Sequence, residues 1–282
     1  MKSKIYYKLK KIILNLLTHL FLLSVAISCI YPLIWTASSS LKTQETIFSD
    51  ISLIPKEFYF KNYYFVIKEG NFGRYFLNSI FYTISVVFLI VIVSSLAAFA
   101  FSRLKFFAKN IIFFIFIGAM MIPLPGGFVP LYVLLNRLHL RNTPIGYILC
   151  MTNVGLSMSI FLLKIFFDTI PKELEEAARL DGCSKIKLWW NIFLPLSKPM
   201  LAVVIVFNAL NVWNEYILAL LIFDNKALMP LQRALVAFQG EFLTNYPLLM
   251  AALVITTLPI IITYFLVQRY IVRGVISGAL FG

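Results

Sequence analysis

An all-α polytopic membrane protein with six transmembrane helices is the fold class this sequence predicts, and three observations predict it. Of its 282 residues 61% are hydrophobic and 13% charged, and the mean hydropathy is +0.88, far from the composition of a soluble domain. The apolar residues fall into runs near the ~20 needed to cross hydrocarbon. Lys and Arg gather beside those runs, as the bias of basic residues toward the inner face requires. The net charge of +13 therefore reads as topology and not as a nucleic-acid footprint.

The elements follow in order. A basic tail, Met1 to Lys11, leads into an apolar run from Ile12 to Trp35. That run is too long for the core of a signal peptide and predicts a retained first span. Residues 36–74 are polar and aromatic together, with Lys42, Asp50, Lys56 and Lys61 among Tyr and Phe, and predict a large, partly ordered loop on the opposite side. Span two is predicted from about Tyr75 to Phe101, and span three from about Asn110 to Met121 and on through a broken stretch. Arg103, Lys105 and Lys109 between them predict a short loop on the cytoplasmic side.

Pro123, Pro125, Gly126, Gly127 and Pro130 interrupt the third apolar run. Free backbone groups at that depth need protein or a water-filled path to receive them, so this stretch is either a Pro-capped interfacial loop or part of such a path. Span four is predicted over about Pro144 to Phe167, span five over about Met200 to Phe223, and span six over about Pro247 to Val267. Span five carries Asn208, Asn211, Asn214 and Glu215. Asn208, Asn211 and Glu215 share a helical face, and polar groups in a span point at protein or a cavity. They either line a pathway, contact a membrane partner or serve as hydrogen-bond glue between helices. Glu215 is the acidic residue inside a span, which favours a functional role.

Between spans four and five lies the one long charged segment of the second half, Pro171 to Pro199. Glu173, Glu175 and Glu176 complement the positive end of a helix dipole, and Leu174, Ala177, Ala178 and Asp181 follow at helical spacing as a small, nearly flat face. Gly182 predicts the left-handed turn after a helix end, Ser184 a second helix cap, and Pro195 and Pro199 a break. Ile186, Trp189, Trp190 and Phe193 are expected to share one face of that second helix. A helix pair this charged belongs in water at the membrane edge.

Glu176-Ala177-Ala178, three residues, Gly182, nine residues, then Ile192, one residue, Leu194 and Pro195 resembles the EAA loop of bacterial ABC importer permeases, with every fixed position present. Trp213-Asn214-Glu215 and the ending Gln268-Arg269-Tyr270 through Gly278-Ala279 resemble the carbohydrate-uptake class of that family, the smaller maltose-type permeases. The resemblance covers roughly Arg74 to the C-terminus. It implies a first region, 1–73, and an importer transmembrane domain, 74–282, whose coupling loop spans 168–199. It further implies that Glu176, Ala177, Ala178, Asp181, Gly182, Ile192, Leu194 and Pro195 seat on an ATP-hydrolysing subunit, with a second permease and an extracytoplasmic solute-binding protein as further partners. ATP and Mg are then expected on the partner ATPase and no cofactor in this chain. The expected solute is a sugar, an oligosaccharide or a related polyol or glycerol-phosphate compound.

Charge counting gives an orientation without the resemblance. With both termini inside, sixteen of the 25 Lys and Arg lie on the inner side, and the charged loop 168–199 is cytoplasmic. Other classes fit less well. No Gly is followed by Lys, so no phosphate-binding loop of the usual nucleotide cassette is present. His19 and His139 stand apart, and Cys29, Cys150 and Cys183 lack pairing or ligand spacing, so neither a metal site nor a disulfide framework is expected. A membrane-embedded enzyme would need a clustered catalytic set, and a secondary transporter or channel matched broken helices and coupling carboxylates.

Overall fold

The structure is a computed structural model and describes residues 2–68, 70–121, 124–238 and 244–279. Among these residues every regular element is helical. The chain forms two compact units, one of residues 1–70 and 238–255, the other of 71–237 and 256–282.

The first unit is built on α1, Lys2–Ser39, whose membrane-length portion, Lys10–Ser39, is apolar on all sides and has no buried residue in its most hydrophobic window. A helix apolar all round belongs in lipid. Its hydroxyls are hidden accordingly: Thr18, Ser24, Ser28 and Thr36 donate to carbonyls three or four residues back. The polar loop that follows is ordered by two side chains. Buried Lys42 donates to the carbonyls of Asp50 and Ser52, and Asn62 of α2, Lys61–Lys68, donates to those of Ser40 and Lys42 at 2.8 and 2.9 Å. Gln44 bonds the backbone of Thr244 and Tyr246.

The second unit is organised by α3, Phe72–Arg103. Phe72, Tyr75, Ser79, Tyr82, Val86, Ile90, Ser94, Ala98 and Phe101 are buried and recur every three or four residues, while Leu77, Phe81, Ile84 and Phe88 stay exposed. One seam packs on protein and the other face suits lipid. The seam runs along α6, Pro144–Asp168, and α10, Lys198–Asn214. Polar residues near the start of α3 hold the segment after Phe223: Asn78 donates to the carbonyls of Ala227 and Met229, Tyr82 to that of Leu228, and Ser79 accepts from Leu231 N–H. That segment, between the ranges predicted for spans five and six, contains a helical turn, α12, Leu231–Leu235, whose Leu231 and Ala234 are buried.

Two predicted spans are broken in the structure. The third is interrupted as its prolines and glycines predict: α4, Lys109–Ala119, has eleven residues, or roughly 16 Å at 1.5 Å per residue, too short to cross hydrocarbon alone. Leu124–Gly127 form a 3₁₀ turn and α5, Phe128–Arg137, continues the stretch, while Pro123 lies outside the described residues. The fifth is not continuous either. Helix α10 ends at Asn214, Glu215 is extended, and a short α11, Ile217–Ile222, follows. Among the described residues four helices are long and apolar enough to span a membrane, and a fifth is gained if the bent pair Lys185–Leu196 and Lys198–Asn214 is counted once. The last helix, α13, Tyr246–Ala279, passes through both units and runs beyond the expected span end, leaving residues 280–282 of the tail outside the described residues.

Candidate functional site: a charged hairpin and a membrane cavity

The charged segment folds as its local chemistry dictates. Helix α7, Lys172–Leu180, begins after Pro171 and ends at Asp181, and Gly182 takes the left-handed conformation, φ +77°. Only Gly enters that region without a steric penalty. Ser184 Oγ accepts from Lys187 N–H at 3.4 Å and starts α8, Lys185–Leu188. The next turn, Trp189–Phe193, is a π-helix, and α9, Leu194–Leu196, closes the segment. Pro195 explains the wide turn: it has no N–H for the carbonyl of Asn191, and a fifth residue in the turn relieves its ring from that oxygen. An 80° bend then joins Lys185–Leu196 to α10.

What this hairpin offers outward is specific. Glu176, Ala177, Asp181 and Gly182 are exposed, and Leu180 is 89% exposed, whereas Ala178 is buried. The flat Ala face is therefore divided, one alanine packing inward and the other free. The four residues expected to share a face in the second helix divide likewise: Trp189 and Phe193 are buried, Ile186 and Trp190 exposed. Of the later motif residues, Ile192 and Leu194 are half-buried and Pro195 is exposed.

A clamp that sequence reasoning did not single out fixes α7 to the spans. Glu175 is buried and pairs with Arg179 at 2.5 Å on one side, while its Oε2 faces Arg103 Nε of α3 at 3.8 Å on the other. Arg103 Nη2 donates to the carbonyls of Phe167 and Ile170 at the end of α6, and the guanidinium lies 5.1 Å from the Phe193 ring centre. Ser102 adds a bond to Asp168, at 2.7 Å. One guanidinium thus joins α3, the end of α6, α7 and the π turn, the use to which a planar five-donor fork is suited. The available signal was a cation at the end of a span facing an acidic loop.

The polar residues of span five do not act together. Asn208 is buried and donates to Ser159 Oγ of α6 at 2.9 Å and to the Val204 carbonyl at 2.8 Å. It is packed opposite Gly155, where a Cβ would overlap its side-chain oxygen. Asn208 is glue at a close helix crossing. Asn214 is exposed, donates to the Leu210 carbonyl and accepts from Gln232 at 3.4 Å.

Asn211 and Glu215 line a cavity of about 640 Å³. Asn153 and Ser157 of α6 complete its polar wall, and Met120, Phe128, Met151 and Phe207 its apolar one. Phe128 brings in the interrupted stretch after α4. Asn153 and Ser157 were also unmarked by sequence reasoning, although two polar residues at i and i+4 of an apolar span are a readable signal. Glu215 has a second role at the break: its carboxylate accepts from Leu218 N–H at 2.5 Å, Ala219 N–H at 3.2 Å and Tyr147 O–H at 3.3 Å. It caps α11 and satisfies backbone donors that have no water to meet in a membrane. The mix of apolar and amide or hydroxyl surface suits an uncharged polyhydroxy molecule better than an ion. Among the described residues no cluster of His, Cys, Asp and Glu is placed to hold a metal.

Comparison with known proteins adds a second line. The profile of the family described as "Binding-protein-dependent transport system inner membrane component" matches residues 67–277. A putative ABC transporter permease protein, ORF2, of Caldicellulosiruptor sp. (strain Rt8B.4) is 38% identical over 252 residues, 89% of this chain and 91% of the relative. The probable starch degradation products transport system permease protein AmyC of Thermoanaerobacterium thermosulfurigenes is 33% identical, covering 86% and 88%. The melibiose/raffinose/stachyose import permease protein MelC of Bacillus subtilis (strain 168) is 30% identical, covering 93% and 95%. A chain of the crystal structure of a bacterial ABC transporter importing the acidic polysaccharide alginate superposes with a TM-score of 0.83 at 25% identity, over 92% of this chain and 96% of that one.

Proposed function

Because the chain belongs to the family of inner-membrane components of binding-protein-dependent transport systems, we propose that it is the permease through which a sugar or oligosaccharide, or a related polyol or glycerol-phosphate solute, enters the cell. The observation that carries this reading is the shared scaffold: α6 and α10 line the polar cavity and also lead into and out of the exposed hairpin. A helix tip with exposed Leu180, Glu176 and Ala177 is a docking surface, and the Arg103 clamp makes it rigid with the spans. The chain is a transport component and not an enzyme. ATP and Mg belong to partner ATPase subunits, and a second permease and an external solute-binding protein complete the assembly.

In this reading α4 with α5 forms the third of six crossings and α10 with α11 the fifth. Both termini and the coupling loop 168–199 face the cytoplasm of the cell that holds the protein in its membrane, and residues 74–282 form the transport domain. ATP-driven closure of the partner subunits moves α7, the clamp carries the motion to α3 and α6, and the cavity opens to the external binding protein. Hydrolysis resets it. Asn153, Ser157 and Asn211 offer amide and hydroxyl groups to sugar hydroxyls, and Glu215 adds an acceptor held in place by its backbone partners.

Mild solubilisation from the native membrane tests the assignment. An ATPase should copurify with the wild-type chain and be lost when residues 176–182 are replaced by a flexible Gly-Ser linker. Recovery of the chain alone, still transporting in liposomes without ATP, would overturn it in favour of a stand-alone carrier.

A further inference from the structure

The 80° bend after Leu196 leaves Lys185–Leu196 running across the direction of α10 at the point where that apolar span begins. Its exposed side carries Ile186, Trp190 and Leu196, and Lys185, Lys187 and Lys198 are exposed beside them. Apolar side chains with paired indoles and lysines are the composition of a helix lying in the membrane interface. Behind it, against α3, is a groove of about 470 Å³, within the ~300–1,000 Å³ range of ligand sites. Phe88, Val91, Ile92 and Leu201 give it an apolar floor, and Trp189 and Lys198 stand at its wall. Trp189 is 7% exposed, and its indole N–H has no acceptor among the described residues. A buried donor left unpaired is costly, so a groove bordered by one points to a ligand oxygen.

We propose that this groove holds one anionic phospholipid, an acyl chain lying along Phe88, Ile92 and Leu201 and the phosphate drawn to Lys198 and the Trp189 indole. Charge selects the occupant: the groove has a cation and an N–H donor at its wall and no carboxylate in its lining. A peptide segment would match the apolar floor but would not require the lysine. The lipid is in place to stiffen the junction between the charged hairpin and α10.

Photo-crosslinking of the full chain in vesicles tests this. Phosphatidylglycerol and phosphatidylcholine, each with a photoactivatable acyl chain at equal mole fraction, are compared by mass-spectrometric mapping of adducts. Adducts on residues 88–95 and 189–201 should favour phosphatidylglycerol by about fivefold, the factor for one lysine near an anionic surface, while those on residues 24–34 of α1, away from its basic tail, show little preference. Lys198→Gln should bring the ratio at the groove close to that of residues 24–34 of α1 while the phosphatidylcholine adducts at the groove keep their wild-type yield, which also reports that the groove is still folded. Ile92→Trp, which fills the groove, should lower the yield there with both lipids. Equal yields in the wild type, or a preference that survives Lys198→Gln, would overturn the proposal as ordinary annular lipid. No adducts at the groove with either lipid would overturn it in favour of a protein segment.

Discussion

Arg103 is the residue on which most depends. Arg103→Ala leaves buried Glu175 without one of its two cations and the Phe167 and Ile170 carbonyls without their donor. Breaking one side of such a buried pair costs about 3 kcal/mol, so thermal unfolding of the solubilised protein should fall by several degrees and uptake should be lost. Arg103→Lys should recover only part, because a single ammonium cannot span the carbonyls and the carboxylate together. Glu215 separates two roles by substitution. Glu215→Ala removes the acceptor for two backbone N–H groups and should destabilise the protein by about 1–3 kcal/mol. Glu215→Gln keeps an acceptor at the cap, so stability near wild type with altered uptake would assign the carboxylate to the solute path. Asp50 gives a pH-dependent case outside the spans. Hydrogen bonds from the Ser52 hydroxyl and N–H, aided by Lys42, hold its pKa below the usual carboxylate value. Its contribution is complete above the unfolded value and is lost only as pH falls through the lowered one. Carboxyl NMR of the labelled Ser52→Ala variant should show Asp50 titrating at higher pH than in the wild type.

At the scale of elements α6 and α10 cross closely at Gly155. A Cβ at Gly155 would overlap Asn208 and Ile90, so Gly155→Ala should cost about 1–3 kcal/mol by forcing the helices apart. Asn208→Ala should recover part of that loss, and a double-mutant cycle on unfolding free energies measures the coupling. This contact was illegible in the sequence, because its partners are 53 positions apart and Gly155 alone looks like any glycine in a span. The caps and turns of the charged hairpin were legible in the sequence, whereas which of its side chains share a face was not. Gly182, Ser184 and Pro195 act through bonds to near neighbours in the chain, and such rules survive without knowledge of the fold. Glu215 shows the opposite case. Apolar residues continue from Tyr216 to Phe223, so composition predicts one helix, and only the side chain's turn back onto Leu218 and Ala219 explains the break. The break in the third span was legible, because Pro125, Gly126 and Gly127 mark it locally and α4 ends at Ala119, close to the expected Met121.

For the whole molecule the proposed orientation makes a direct prediction. Single cysteines introduced at Glu176 and at Phe107, both exposed, should react with a membrane-impermeant maleimide only from the cytoplasmic side, and one at Ile54 only from the other. Labelling of Glu176→Cys and Ile54→Cys from the same face would reject the six-crossing arrangement. Gly182→Pro should insert in the membrane normally yet abolish uptake, since proline cannot adopt φ +77°. The 80° bend has a mechanical consequence of its own. In the proposed cycle it is a bell crank, turning a push within the plane of the membrane into a swing of α10. Asn211 stands thirteen residues beyond Lys198, roughly 20 Å along the helix axis at 1.5 Å per residue. A rotation of roughly 10° at the bend therefore sweeps Asn211 sideways by roughly 3 Å, the length of one hydrogen bond. A pivot of that size is enough to exchange one set of partners for another without unwinding a single turn.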